Sequence, residues 1–345
     1  MPTSSSARPC ARTPPSSARG RGALIAAKSD PITLAGHAMG RYLVQVNAND
    51  LAVMGATPCW LLLTVLLPPG RMAARQFASI MREVCEACQE AEITLVGGHS
   101  EVTDGLSRPV AVGAMLGEIT GPWLLDKRAI CPGDELFMTG SIVVEGTAAL
   151  ARDFRPALRA RGLGARLLRR AGDLLQDPGI SIVREARIAA GIAQVKALHD
   201  PTEGGIVAAV QEFGHRLGCG VLLQADAIPV LPETREVCRA LGLDPLRLLA
   251  SGVLLIAAAP GSGEVLAAAF AGERVGITRI GRFLPAGARG PSPAEGGFRS
   301  RPPAEMNSPG PVSNSSAPQR VGRISEAPAA SSREDHISPS TKSRS

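Results

Sequence analysis

The chain has 345 residues, of which 45% are hydrophobic, 20% charged and only 3% aromatic. That supply of aliphatic side chains suits a globular core and excludes collagen-like, coiled-coil and wholly disordered chains. The formal charge of +6 belongs to the ends: residues 23–285 carry 25 basic and 26 acidic groups, so the central part has no nucleic-acid footprint.

Residues 1–22 are rich in Ser, Pro and Arg, contain no acid, and are expected to be a disordered tail. An organelle transit peptide shares the Arg and Ser bias, but these prolines oppose its amphipathic helix. Residues 286–345 hold 13 Ser and 9 Pro without hydrophobic periodicity, which reads as a second disordered, low-complexity tail. Between the tails, extended and helical patterns alternate. Strands are predicted at 42–46, 57–67, 93–96, 109–118, 135–139, 221–223, 253–258 and 277–280. Helices are predicted at 71–91, 145–151, 179–190, 203–217, 233–241 and 263–271, with a short helical stretch at 50–54. The pattern is α/β (α+β) in two halves, 23–154 and 155–285, with the Arg-rich stretch 155–170 at the boundary as a solvated helix face. The longest apolar runs, 59–67 and 252–259, are far too short to cross a bilayer. Seven scattered cysteines suit reduced thiols in a cytoplasmic protein. Cys85 and Cys88 fall inside a predicted amphipathic helix, where packing accounts for them.

Four polar segments interrupt apolar surroundings. In Lys28–Thr33, Asp30 precedes a proline at a strand end, where it serves either a turn or a magnesium ion. In 47–56, Asn47, Asn49 and Asp50 precede an expected helix start; an N-cap explains one of them, and a cation or phosphate would use the others. In 95–103 a strand runs into Gly97 and Gly98, then His99 and Glu101, which project to one side if extended. In 199–205, Asp200, Thr202, Glu203, Gly204 and Gly205 open a helix whose free N–H groups suit an anion, although Asp200 or Thr202 as a cap is an adequate structural account. Walker A, dinucleotide-binding, zinc-helix and serine-elbow motifs are all missing.

Taken in order, these segments resemble the superfamily of aminoimidazole ribonucleotide (AIR) synthase, the hydrogenase maturation factor HypE, thiamine-monophosphate kinase and selenophosphate synthetase. The resemblance is carried by 46–58 (VNANDLAVMGATP), 95–103 (LVGGHSEVT), 138–151 (MTGSIVVEGTAALA), 199–205 (HDPTEGG), 228–238 and 241–257. It is similar above all to the AIR synthase-related, HypE-like group. It implies an N-terminal α/β domain, whose sheets pair in a homodimer barrel, and a C-terminal α+β domain. It also implies ATP and Mg2+ as cofactors and activation of an oxygen of a small amide or carboxylate-type substrate. A maturation protein is the implied partner, with neither nucleic acid nor membrane. By position, Asp30 and Asp50 would be magnesium ligands, with Asp50, His99 and Asp200 as catalytic residues. Asn47 and Asn49 would orient the ligands or reach the phosphates; Gly97, Gly98, Glu101, Thr202, Glu203, Gly204 and Gly205 would line the nucleotide site. Two departures support an alternative, a non-catalytic nucleotide-binding or accessory protein. Residues 14–22 contain no acid where the family has an acidic nucleotide loop. The last cysteine is Cys238, whereas HypE proteins end in a cysteine. Separately, Glu203 stands where HypE proteins carry Arg, a charge reversal that bears on which substrate is taken.

Overall fold

A computed structural model of the chain describes residues 24–33, 38–121, 125–217, 219–273 and 275–286. Both expected tails lie outside the described residues, apart from Ala286.

The first sheet has four strands, β1 (Leu24–Ile32), β2 (Thr57–Leu67), β3 (Thr94–Val102) and β4 (Val110–Ile119), in the order β1-β4-β2-β3. Only the β2–β3 pair is parallel. Two helices, α1 (Met39–Ala52) and α2 (Ala73–Glu90), cover one face. Strand alternation explains why: Leu61, Leu63, Val65 and Leu67 of β2 point into the helices and are buried, while Trp60, Leu62 and Leu66 point the other way. Cys88 of α2 is buried and Cys85 exposed, as an amphipathic helix requires.

The segment 42–46, expected as a strand, is instead the middle of α1. Its apolar residues repeat with helical spacing: Leu43, Ala48, Leu51 and Ala52 all face the core, and the short run at 42–46 hides that period. This correction moves Asn47, Asn49 and Asp50 from a helix start to the last turns of α1.

The second sheet is antiparallel: β5 (Glu135–Thr139), β6 (Val195–His199), β7 (Cys219–Leu223), β8 (Leu255–Ala258) and β9 (Ile277–Ala286), ordered β6-β8-β5-β9-β7. Helices α3 (Val144–Asp153), α4 (Arg155–Ala160), α5 (Ala165–Asp173), α6 (Val183–Ala190), α7 (Gly205–Leu217), α8 (Pro232–Leu241) and α9 (Gly263–Ala269) surround it. Because β5 pairs only with β8 and β9, the second sheet begins at Glu135, about twenty residues before the expected boundary at 155. The Arg-rich stretch forms α4 and the start of α5. Its arginines do face outward in part, but Leu158 of α4 and Leu168 of α5 are fully buried.

One side chain joins the two halves. The Asn49 amide donates to the carbonyl of Ile180 at 2.7 Å and accepts from the backbone N–H of Ile182 at 2.9 Å. Around it Ala52 and Val53 pack with Ile182, Ala186 and Ala189. Replacing Asn49 with Ala would strand a buried carbonyl and a buried N–H. Urea unfolding of Asn49→Ala is expected to show a loss of about 2–3 kcal/mol.

Candidate functional site

Residues 28 and 30 lie two apart on β1 and so share the face turned towards α1. Asp30 is fixed through its backbone N–H, which donates to Asn47 Oδ1 at 3.1 Å, while the Asn47 amide donates to the Leu43 carbonyl at 2.9 Å. Asp50 reaches the same spot from the end of α1. The Lys28 ammonium joins the two carboxylates, 3.3 Å from Asp30 Oδ2 and 3.1 Å from Asp50 Oδ2. That approach to Asp50 Oδ2 is an ion pair without hydrogen-bond geometry, so this buried oxygen has no hydrogen-bond partner. Burial, reinforced by the Asp30 carboxyl, pushes Asp50 up to about 6 against the pull of Lys28.

Asp200 enters from the other domain, just after β6. It is 6% exposed. Burial and then the charge of Asp50 push its carboxyl up to about 7, opposed by Lys127 and Lys28. Lys127 belongs to a neighbouring chain of contacts: its ammonium lies 3.3 Å from His199 Nδ1, and His199 Nε2 lies 3.0 Å from a Glu212 oxygen. Burial, then Lys127, lowers the His199 imidazole to about 4, so it is neutral at pH 7. Lys28 thus holds Asp30 and Asp50 together, and the charge of Asp50 reaches Asp200 of the second domain.

The segment 202–205 borders Asp200. Thr202, Glu203 and Gly204 are exposed and Gly205 is buried. Gly204 and Gly205 both have positive φ, 75° and 65°. A Cβ on Gly205 would stand 2.6 Å from the carbonyls of Leu246 and Leu248. That close approach seats the start of α7, whose first N–H groups lack helical partners.

The glycine pair at 97–98 lies within β3, which runs to Val102 and so past the expected strand end at 96. A Cβ on Gly98 would lie 1.8 Å from the Leu63 carbonyl, so the glycine permits close strand pairing. His99 and Glu101 project to one side, His99 Nε2 lying 3.1 Å from Glu101 Oε2, and both are exposed. Thr103 donates to the other Glu101 oxygen at 2.7 Å. Contacts join them to one another and to Thr103, and none joins either to the Asp30, Asp50 and Asp200 group.

Magnesium commonly takes one or two carboxylates and fills its shell with water and phosphate oxygens. Asp30 and Asp50 are such a pair, already holding a cation in the form of Lys28. Among the described residues, no group of three or more His, Cys, Asp or Glu side chains could hold a metal by itself. Sequence reasoning missed Lys28, although its alternation with Asp30 along β1 was a usable signal. A surface hollow lined by Arg184, Glu185, Phe270 and Glu273 shares no residue with the seam cluster.

The family model for AIR synthase related proteins matches this chain twice, its N-terminal domain at residues 20–119 and its C-terminal domain at 131–289. The chain belongs to the AIR synthase-related family, and within it is HypE-like. Carbamoyl dehydratase HypE of Escherichia coli K12 is 30% identical over 249 residues, 72% of this chain and 70% of that protein. A relative from Methanocaldococcus jannaschii is 29% identical, and the match spans 64% of its length. The crystal structure of E. coli HypE superimposes with a TM-score of 0.67 at 25% identity, covering 81% of this chain and 85% of that one. HypE solved with ATP shares the fold, with a TM-score of 0.61 at 22% identity and coverage of 75% and 77%. Among the described residues no helix is long and apolar enough to cross a membrane.

The sign of the Asp200 shift sets a pH dependence. An unfolded Asp titrates near 4; folded Asp200 titrates at about 7. The folded chain holds that proton more tightly, so the contribution is full below about pH 4 and lost as pH rises through about 7. Asp200→Asn should therefore be more stable than the parent at pH 8, by roughly 4 kcal/mol. Urea midpoints taken from pH 4 to pH 8 should show that advantage vanishing at the acid end.

Proposed function

We propose that this chain is a cytoplasmic ATP- and Mg2+-dependent enzyme that activates an oxygen of a small amide or carboxylate-type substrate by phosphoryl transfer, in the service of hydrogenase maturation. The observation that carries this is the pairing of Asp30 and Asp50 across Lys28, with Asp200 of the second domain near enough for the charge of Asp50 to raise it. Repelling carboxylates cost stability unless a ligand cation or proton uses them. When bound, MgATP supplies the electrophilic phosphoryl group and the metal charge that offsets it. Asp30 and Asp50 would hold the metal, with Asn47 fixing Asp30 and Asn49 fixing the helix that carries Asp50. Asp200, whose carboxyl titrates at about 7, would move a proton near neutral pH. The backbone at Thr202, Glu203, Gly204 and Gly205 would face phosphate oxygens, as a helix start does. Gly97, Gly98, His99 and Glu101 would line the nucleotide from β3.

The support from relatives lies in their names: carbamoyl dehydratases, a HypE bound to ATP, and a HypE–HypF complex, the last suggesting a maturation-protein partner. A second reading, a nucleotide-binding accessory protein, is favoured by one observation: the Lys28 ammonium is already ion-paired with both Asp30 and Asp50, the residues that would hold the metal. Titration calorimetry of MgATP into the full chain separates them. The enzyme reading expects micromolar binding, weakened at least about tenfold in Asp50→Ala, as loss of one metal carboxylate implies, together with turnover when small amides are supplied. Binding without turnover favours the accessory reading, and no heat at millimolar MgATP overturns both.

A homodimer belongs to the same proposal. The uncovered face and edge of the first sheet expose Leu24, Ile25, Leu62, Val96 and Val102, and nearly all of β3 is exposed. Sedimentation should give twice the chain mass, and Leu62→Glu should shift it to the single-chain value.

A further inference from the structure

Among the described residues, two buried side-chain oxygens have no hydrogen-bond partner, Asp50 Oδ2 and Glu145 Oε2. Glu145 lies in the first turn of α3, where burial pushes its carboxyl towards the protonated form against the Ser251 and Tyr42 hydroxyls. Asp50 differs in having an ammonium beside it. Lys28 Nζ lies 3.1 Å from that same Oδ2 and 3.3 Å from Asp30 Oδ2.

A second lysine of the chain shows how a fixed ion pair is built. Lys196 donates to both oxygens of Asp134, at 2.8 and 2.7 Å, and the two side chains are only 10% and 2% exposed. Lys28 is held differently. Its side chain is 38% exposed, its ammonium is shared between two carboxylates, and its approach to Asp50 Oδ2 lacks hydrogen-bond geometry. The flexible four-carbon stem rooted on β1 lets that ammonium swing into water. Lys28 is therefore a displaceable cation, whereas Lys196 is a structural one. Charge gives the difference a consequence. A divalent cation entering between Asp30 and Asp50 meets two carboxylates and, at the same close range, one ammonium. Like charges this near repel strongly in a half-buried site. The repulsion is relieved only when the ammonium moves, and an anion that arrives with the metal gives it a new partner.

We infer that Lys28 is a specificity-determining residue: it competes with bare divalent metal for Asp30 and Asp50, so that the pair holds a metal well only together with an anionic group that takes up the ammonium. The inference rests on the reading of Asp30 and Asp50 as the carboxylates that hold the metal. It adds what the pair selects, a metal–phosphate complex over the free ion. Such coupling is reciprocal, so the anion is also held better when the metal is present.

The test titrates Mn2+ alone, without nucleotide, into the full chain and follows the loss of the free-ion electron paramagnetic resonance signal. Mn2+ stands in for Mg2+ because both take oxygen ligands. The titration is run at pH 8, above the value of about 6 at which Asp50 titrates. Lys28→Met is expected to bind Mn2+ at least about tenfold more tightly than the parent, as removal of one neighbouring like charge implies. Lys28→Gln, which keeps a polar tip on the stem, carries the same expectation, and Lys28→Arg should stay at the parent value. Adding Asp50→Asn to Lys28→Met should abolish the gain. Melting temperatures without metal report that each variant is folded. Equal Mn2+ affinity in the parent and the two neutral variants, or a gain that survives Asp50→Asn, overturns the inference. A failed MgATP titration with the Mn2+ gain intact faults the nucleotide reading alone. MgATP binding by the parent, with no Mn2+ gain in the neutral variants, faults this inference alone.

Discussion

The Asn49 amide is the interaction on which the site depends. Two hydrogen bonds, to Ile180 and Ile182, fix the end of α1 against the second domain. Asp50 is the next residue, and its position follows from that clamp. So does its burial, because the second domain closes over the end of α1. Desolvation is the largest cause of the raised carboxyls of both Asp50 and Asp200. A single neutral amide thus sets the electrostatic character of a charged site without touching any of its charges.

Each domain alone would carry an ordinary surface. Asp30 and Asp50 with Lys28 would be an exposed ion-paired cluster, worth little in water. Asp200 would be a carboxylate at a strand end. Brought together, two of the three carboxylates lose water and feel each other, and only one ammonium stands directly between Asp30 and Asp50. The shortage of positive charge makes the seam receptive to a cation or to protons. It also explains why Lys28 holds its own proton firmly: desolvation would lower its pKa, but the two carboxylates raise it further.

Much of this was legible in the residues. The long strand at 57–67 and the helix at 71–91 have periods that short windows resolve, and both appear close to where they were expected. The grouping of Asp30, Asp50 and Asp200 could be anticipated only through the family resemblance, since no spacing along the chain connects 30, 50 and 200. The misassigned stretch 42–46 shows the limit of short windows: five residues fit either period, and only the repeat over Leu43, Ala48 and Leu51 decides. The boundary at 155 was drawn on the Arg-rich stretch, read as a solvated helix face; the apolar side of that face carries Leu158 of α4 and Leu168 of α5, and both are buried. Glu145 gave almost no signal, because an acid in a first helical turn is the ordinary choice for favouring the helix dipole.

That ordinary role also frames the chemistry at α3. A first-turn glutamate that served only the dipole would sit at the surface, where the interaction is worth about 0.3–1 kcal/mol and side-chain solvation is kept. Glu145 is buried, its Oε2 is unpaired, and no ammonium or guanidinium offsets it. The dipole gain is too small to cover the cost of a buried, unpaired acceptor, about 1–3 kcal/mol. Helix formation therefore does not account for its position, and the balance of those two effects separates it from the first-turn acids Glu185 and Glu233. Glu185 is similarly raised by burial, but the charge of Arg184 acts to lower it. Glu233 has Arg170 at 2.7 Å. Among these three, only Glu145 has hydroxyls alone, those of Ser251 and Tyr42, set against its burial.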